Sequence, residues 1–228
     1  MADHTAPRLR LRAGDAAIVI GLGRFGSAVA TTLEEMGHQV LGVDASEGIV
    51  ADHASRLTHV LQADSTRIET LEEIGAKDVA VAVVAIGTDI EASILTTSAL
   101  VDLGIASIWA KALTASHARI LDRVGAHHVV FPEREMGDRV AHQVTGRMID
   151  WIQLEDDFAL VETTAPADMV GRTIGESGAR QRHGVTIVCI KPVGQTFTYA
   201  TAETVVQEGD LLLVAAEARV AEAFANLR

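Results

Sequence analysis

As far as Phe131, short apolar runs alternate with segments whose apolar positions return every three or four residues. The runs Ala17–Ile20, Val40–Val43, Thr58–Ala63, Val79–Ala85, Ile105–Ala110 and His128–Phe131 read as strands. Val79–Ala85 shows no polar alternation, the pattern of a central parallel strand buried on both faces. Helical spacing fills the gaps: from a glycine turn to Met36, Ala45 to Arg56, Arg67 to Ile74, a Thr88 or Asp89 cap to Leu103, and Ser116 to Val124. Gly37, Gly75, Gly104 and Gly125 stand as stops, and Ser65-Thr66 can cap the helix that begins at Arg67. Strands and helices alternating at this spacing predict an α/β fold, a doubly wound, Rossmann-like parallel sheet.

Pro132 cuts off the sixth strand, and the pattern then predicts a long helix from Glu133 to about Asp150. Met136, Val140, Val144 and Met148 form one stripe on it. Spacing alone leaves open whether that stripe packs on the chain's own core or on a second subunit. After Trp151 the pattern changes, with an acidic break at Glu155-Asp156-Asp157. Phe158–Thr163, Val185–Lys191, Thr196–Ala200 and Leu211–Ala216 read as strands, and Thr173–Arg182 and Arg219–Leu227 as helices. Clustered strands with few helices predict a small α+β domain with antiparallel pairing. The expected organisation is a flexible tail over 1–15, an N-terminal α/β domain over 16–150 and a C-terminal domain over 151–228.

The first strand ends in Gly21-Leu22-Gly23-Arg24-Phe25-Gly26, a helix follows, and the second strand ends in Asp44. This is a dinucleotide-type fingerprint in its full strand–turn–helix–strand setting. Gly21 permits a tight turn, Gly23 lets a phosphate approach the backbone, and Gly26 lets helix and strand pack closely. The N–H groups and the positive end of the new helix then face the phosphate. Asp44, about 20 residues beyond the turn, can accept from ribose hydroxyls. Arg24 lies inside the turn at the mouth of the helix, where a second cation meets phosphates.

Ligands of such sheets bind outside the carboxyl ends of the strands. Residues from separate parts of the chain converge there: the 21–26 turn, Asp44 with Ala45, Asp64 with Ser65, Ile86 with Gly87, Lys111 and Glu133. The chain uses lysine only at Lys77, Lys111 and Lys191, which singles out Lys111 at a strand end.

Composition narrows the function further. A net charge of −12 and 4% aromatic residues, with no basic run interleaved with aromatics, argue against nonspecific binding to nucleic acid or an anionic membrane. No apolar run approaches the roughly 18–20 residues of a membrane span. The N-terminus, MADHTAPRLRLRAG, has no apolar core of a signal peptide and reads as a frayed tail. The single Cys189 excludes an internal disulfide, fits a reducing cytosol, and reads as a small buried hydrophobe within an apolar run.

Catalysis finds no support. The nine histidines are scattered, and His127-His128 lack metal spacing. No GxSxG, CxxC or HExxH occurs, and Asp168 and His183 read as turn or surface residues. The part beyond Trp151 is small for the substrate domain of a hydride-transfer enzyme. The site therefore reads as built to hold a nucleotide, not to transform it.

These stretches (IGLGRFGSAVATTLEEMGHQVLGVD, the strand end at Asp64, AIGTDIEASILTT, IWAKA and VGAHHVVFPEREMG) resemble the RCK (KTN, TrkA-type) proteins, cytosolic regulatory subunits of Ktr/Trk potassium uptake systems. The Ktr type matches best, from about residue 16 to the end. The resemblance implies homodimers assembling into a homo-octamer ring on the cytoplasmic face of a membrane potassium transporter, with ATP favouring the active assembly and ADP the inactive one. It implies that Asp44 binds ribose, the Gly21–Gly26 loop the phosphates, and that Asp64 and Lys111 lie near the ligand. It further implies that Arg24 reaches the γ-phosphate in the neighbouring protomer. Glu133 would hold a cation, such as Mg, Ca or Na, shared between two nucleotide sites. The Met136–Met148 helix becomes a crossover helix that intertwines a dimer. Some relatives bind cyclic di-AMP at the C-terminal domain; the matching segment TIGESGARQRHG keeps Ile174 and Arg180 but has Gly178 where those relatives carry Asn, which speaks against that ligand.

Two other readings remain open from the sequence. Asp44 fits NAD(H) as well as ATP, as in a Trk-type regulator or a small NAD(P)-dependent oxidoreductase. The GRFG turn also occurs in ligand-binding domains of cation antiporters and glutathione-gated efflux systems.

Overall fold

The computed structural model describes residues 11, 12, 14–145, 148–155 and 157–227; most of the expected tail lies outside them. The chain divides after Pro132 into two compact units.

The first unit is a six-stranded sheet in the order β3-β2-β1-β4-β5-β6, every pairing parallel. Its strands are β1 (Ala16–Ile20), β2 (Gln39–Asp44), β3 (His59–Gln62), β4 (Val81–Val84), β5 (Ile108–Lys111) and β6 (His128–Val130). Helices α1 (Arg24–Glu35), α2 (Glu47–His53), α3 (Ile68–Glu73), α4 (Ile90–Asp102) and α5 (Ala115–Val124) fill the gaps. Apolar side chains leave both faces of β1. Ile18 and Ile20 join one buried cluster, with Leu71, Leu100 and Leu121; Val19 joins another, with Leu22, Ala30 and Val40. That double burial explains the unbroken apolar runs of β1 and β4. The strand order reverses between β1 and β4, which opens a crevice at their carboxyl ends.

Asp89 caps α4, accepting from the Ala92 N–H, and Thr114 caps α5. The expected Ser65-Thr66 cap of α3 is not there. Arg67 occupies that position without a side-chain bond, because the Thr66 hydroxyl turns back to Asp64 and the Ser65 hydroxyl turns inward to Thr96.

Helix α6 (Pro132–Thr145) starts on the last residue of the first unit and its remainder opens the second, followed by a five-stranded antiparallel sheet in the order β10-β9-β11-β8-β7. The strands are β7 (Met148–Glu155), β8 (Phe158–Thr164), β9 (Thr186–Lys191), β10 (Thr198–Tyr199) and β11 (Leu211–Glu217). Three short helices complete it: α7 (Ile174–Ser177), α8 (Ala179–His183) and α9 (Ala218–Ala225). Buried and half-buried positions alternate along β8 and β11, and Met148, Trp151, Val161, Leu212 and Phe224 share one core.

Two expectations for this region are corrected. The helix predicted to run to Asp150 ends at Thr145, and Met148 is not on its stripe but buried in the β-sheet core, where β7 pairs with β8. The helix predicted over Thr173–Arg182 is two helices broken at Gly178, which takes a left-handed φ of +63°.

Candidate nucleotide-binding site

β1 delivers the chain to Gly21 at the sheet's carboxyl edge, where φ is +90° and a Cβ would come within 3.0 Å of the Ile86 backbone nitrogen. Glycine is required there on both counts. Gly26 is needed for contact alone: a Cβ on it would collide with the Gly21 carbonyl oxygen and press on Ala85. Gly23 differs. It precedes α1 with extended geometry, and a Cβ on it would meet nothing within 4 Å. No packing inside the protein demands a glycine at that point, yet the absent side chain leaves the N–H groups of the first turn of α1 open. A helix begins here with no side-chain cap, so its first N–H groups lack an intrahelical partner. Such a helix start can receive an anion, which makes it a candidate cradle for one.

Asp44, at the end of β2, is held in place beside that cradle. Its Oδ2 accepts from the Leu22 N–H at 2.7 Å and its Oδ1 from the Ser46 N–H at 2.9 Å. The carboxylate thereby ties the glycine turn to the next strand, and each oxygen keeps a further acceptor direction for a sugar hydroxyl. Leu22 itself is buried, and Ala45 is exposed with its carbonyl accepting from Gln62 at 3.0 Å. Gly42 was not singled out in the sequence. A Cβ there would lie 2.9 Å from Leu57 and 3.0 Å from Leu22, so it lets both leucines close over β2. Its one signal was a glycine inside an apolar strand.

Asp64 is exposed just past the end of β3. Its Oδ1 accepts from the Thr66 hydroxyl at 2.6 Å and the Thr66 N–H at 3.0 Å, and these bonds hold its carboxyl below its ordinary range. It is therefore ionised at neutral pH and faces outward. The Ser65 hydroxyl is buried 2.9 Å from that of Thr96 and joins this loop to α4. Lys111, at the end of β5, is 7% exposed; its Nζ stands 5.8 Å from the centre of the Phe25 ring and 3.0 Å from where a Gly87 Cβ would sit. The missing side chain of Gly87 makes room for that ammonium. Ile86 packs into the core next to the Gly21 turn. Arg24 is exposed at the first residue of α1. The sheet edge thus brings together the glycine turn, Asp44, Ala45, Asp64, Ser65, Ile86, Gly87 and Lys111.

Glu133 belongs to the second unit, exposed in the first turn of α6. Among the described residues of one chain, no group of three or more His, Cys, Asp or Glu is arranged to hold a metal ion. The second unit also contains an open cavity of about 330 Å³, lined by Ile174, Gly175, Arg180, Gln181, Thr186 and Thr201 among others. Gly178 takes the left-handed turn that glycine and asparagine adopt most readily.

Comparison with known proteins agrees with this architecture. The TrkA-N domain model matches residues 17–132 and the TrkA-C domain model residues 158–228. Ktr system potassium uptake protein C of Bacillus subtilis is 36% identical over 197 residues, covering 86% of this chain and 89% of that one. Ktr system potassium uptake protein A of the same organism is 34% identical over 209 residues, covering 91% and 94%. Among solved structures, the GsuK channel bound to NAD superposes with a TM-score of 0.65 at 20% identity. That match covers 93% of this chain but 39% of the channel chain, and it speaks for the fold. No helix among the described residues is long and apolar enough to cross a membrane. With both domain models matched in order and most of two Ktr proteins aligned, the chain belongs to the TrkA-N/TrkA-C family of potassium uptake proteins, alongside the Ktr system proteins.

Proposed function

We propose that this protein is a cytoplasmic, nucleotide-sensing regulatory subunit of a membrane potassium uptake transporter, and that it is not an enzyme. The observation that carries the reading is the open ground at Gly23, an uncapped helix start beside a carboxylate held ready by the Leu22 and Ser46 N–H groups. That pair suits the phosphates and ribose of one molecule. The Ktr relatives give the setting, potassium uptake.

In this reading ATP and ADP are the ligands. Asp44 accepts from the ribose, the 21–26 turn takes the phosphates, Asp64 and Lys111 flank the ligand, and Arg24 reaches the γ-phosphate bound by a neighbouring protomer. Only ATP offers that group, and a contact made in one quaternary state alone is what shifts a population. A tenfold preference is worth about 1.4 kcal/mol per site. Protomers pair into homodimers and assemble as an octameric ring. Along α6, Met136, Val140 and Val144 are 54%, 45% and 76% exposed, as fits a helix whose apolar stripe meets another copy. Glu133 supplies one carboxylate to a cation between adjacent nucleotides, whose charges otherwise repel. Cyclic di-AMP has no part in this account.

A second reading has one observation in its favour. The GsuK channel, alike in fold, is described bound to NAD, and the adenosine half of NAD asks the same of Asp44 as ATP does.

Gly23→Ala tests the site. The new methyl meets no protein atom, so the substitution costs the unliganded protein no more than about 1 kcal/mol as a helix-cap change. It stands where the phosphate goes, so stabilisation by ATP and ADP should vanish. Unchanged stabilisation contradicts the site.

A further inference from the structure

A part-buried hydrogen bond spans the two halves of this site. His53, in the last turn of α2, is 9% exposed, and its Nε2 lies 2.7 Å from the Ser27 hydroxyl in the first turns of α1. The other ring nitrogen lies 2.8 Å from the Ile49 carbonyl oxygen. A carbonyl can only accept, so Nδ1 carries a proton and donates to it. Nε2 and the Ser27 hydroxyl complete the pairing, and a hydroxyl can serve either nitrogen form because it both donates and accepts. Removing the Ser27 hydroxyl leaves a ring nitrogen of the buried His53 without this partner.

The placement matters more than the bond. The Ser27 N–H donates to the Gly23 carbonyl at 2.8 Å, so Ser27 belongs to the turn whose open N–H groups form the anion cradle. His53 ends the helix that starts at Glu47, directly after the Asp44–Ser46 turn. We infer that Ser27 and His53 are a positioning pair that fixes the distance between the phosphate cradle and the ribose carboxylate, and so selects ligands in which a ribose and a phosphate chain are joined. The role rests on the nucleotide site proposed above. The role assigned to both residues is positioning. Their bond adds a second tie to the one Asp44 makes with the Leu22 N–H, so a ligand that spans both subsites gains most from it, while a fragment that fills one gains little.

The test measures dissociation constants of ATP, adenosine and inorganic triphosphate for the full chain and for Ser27→Ala, His53→Phe and the double variant. Ser27→Ala is a mild change in a helix, and the melting temperature of each variant is recorded. The expected result is a roughly tenfold weaker ATP complex in each single variant, with the double variant no weaker than either. Adenosine and triphosphate should stay within about twofold, and Ser27→Thr, which keeps the hydroxyl, should retain ATP affinity. Equal losses for ATP and its fragments, additive losses in the double variant, or no loss of ATP overturn the positioning role while leaving the site in place. If the unsubstituted protein binds no ATP, the ATP site itself falls, and the pair's role with it.

Discussion

Three glycines in one turn have three different reasons to be glycine. Gly21 needs a left-handed φ, Gly26 has no room for a Cβ, and Gly23 has ample room. Only the last is free of the protein's own demands, and this makes Gly23 the residue that speaks of a ligand. Gly26→Ala should destabilise the fold at or beyond the upper end of the roughly 1–3 kcal/mol of an overpacked core, measured by chemical unfolding. It is thus the contrast to Gly23→Ala, which should leave stability nearly intact and abolish the ligand response. In the proposed function Arg24, exposed at the start of α1, carries the discrimination between nucleotides. Arg24→Ala should weaken ATP about tenfold or more by isothermal calorimetry, as expected for loss of a charge-assisted contact to phosphate, and ADP much less. Equal losses would remove the γ-phosphate role. The glycine turn, Asp44 and Lys111 could be read from the sequence because turn geometry and charge at a strand end are local properties. Gly42, the inward Ser65 hydroxyl and the Ser27–His53 bond could not, since each depends on what a distant segment places opposite it.

Elements were legible where burial was two-sided. The continuous runs of β1 and β4 allow one assignment, and the stops at Gly37, Gly75, Gly104 and Gly125 bound the helices closely. The stretch around residues 133–155 misleads because Met148 continues the four-residue spacing of Met136, Val140 and Val144 by coincidence. Those three are exposed on α6, whereas Met148 is in a strand core. α6 and β7 are then joined by Arg139, whose guanidinium holds the Asp150 carboxylate from both sides (Nε to Oδ1 at 2.6 Å, and Nη2 to Oδ2). Gln143 and the Trp151 N–H also donate to Asp150, and His142 stacks on Trp151 at 4.0 Å. The Arg139 bonds hold the Asp150 carboxyl below its ordinary range. A depressed value stabilises the fold fully above the unfolded-state value of about 3.9 and fades as pH falls through the lower folded value. Asp150→Asn should therefore lower the melting temperature at pH 7, and the difference from the parent protein should shrink as pH falls below about 4. A pH-independent difference would show that the charge is not what joins the two elements.

At the scale of the whole molecule, a parallel α/β unit and an antiparallel unit follow one another, and the chain divides after Pro132. The change of fold class was visible in the sequence, because β-strands buried on one face alternate where parallel ones do not. What the sequence could not supply is which ligand fills the crevice, since ribose and phosphate look alike to Asp44 and Gly23 whether they belong to ATP or NAD. The most direct test of the account is thermal unfolding of the full chain with ATP, ADP or NADH titrated in turn. ATP and ADP should each raise stability, by about 2.7 kcal/mol at one hundred times the dissociation constant, and NADH should not at the same concentrations. Stabilisation by NADH with none by ATP or ADP would contradict the account and make the protein an NAD-responsive regulator.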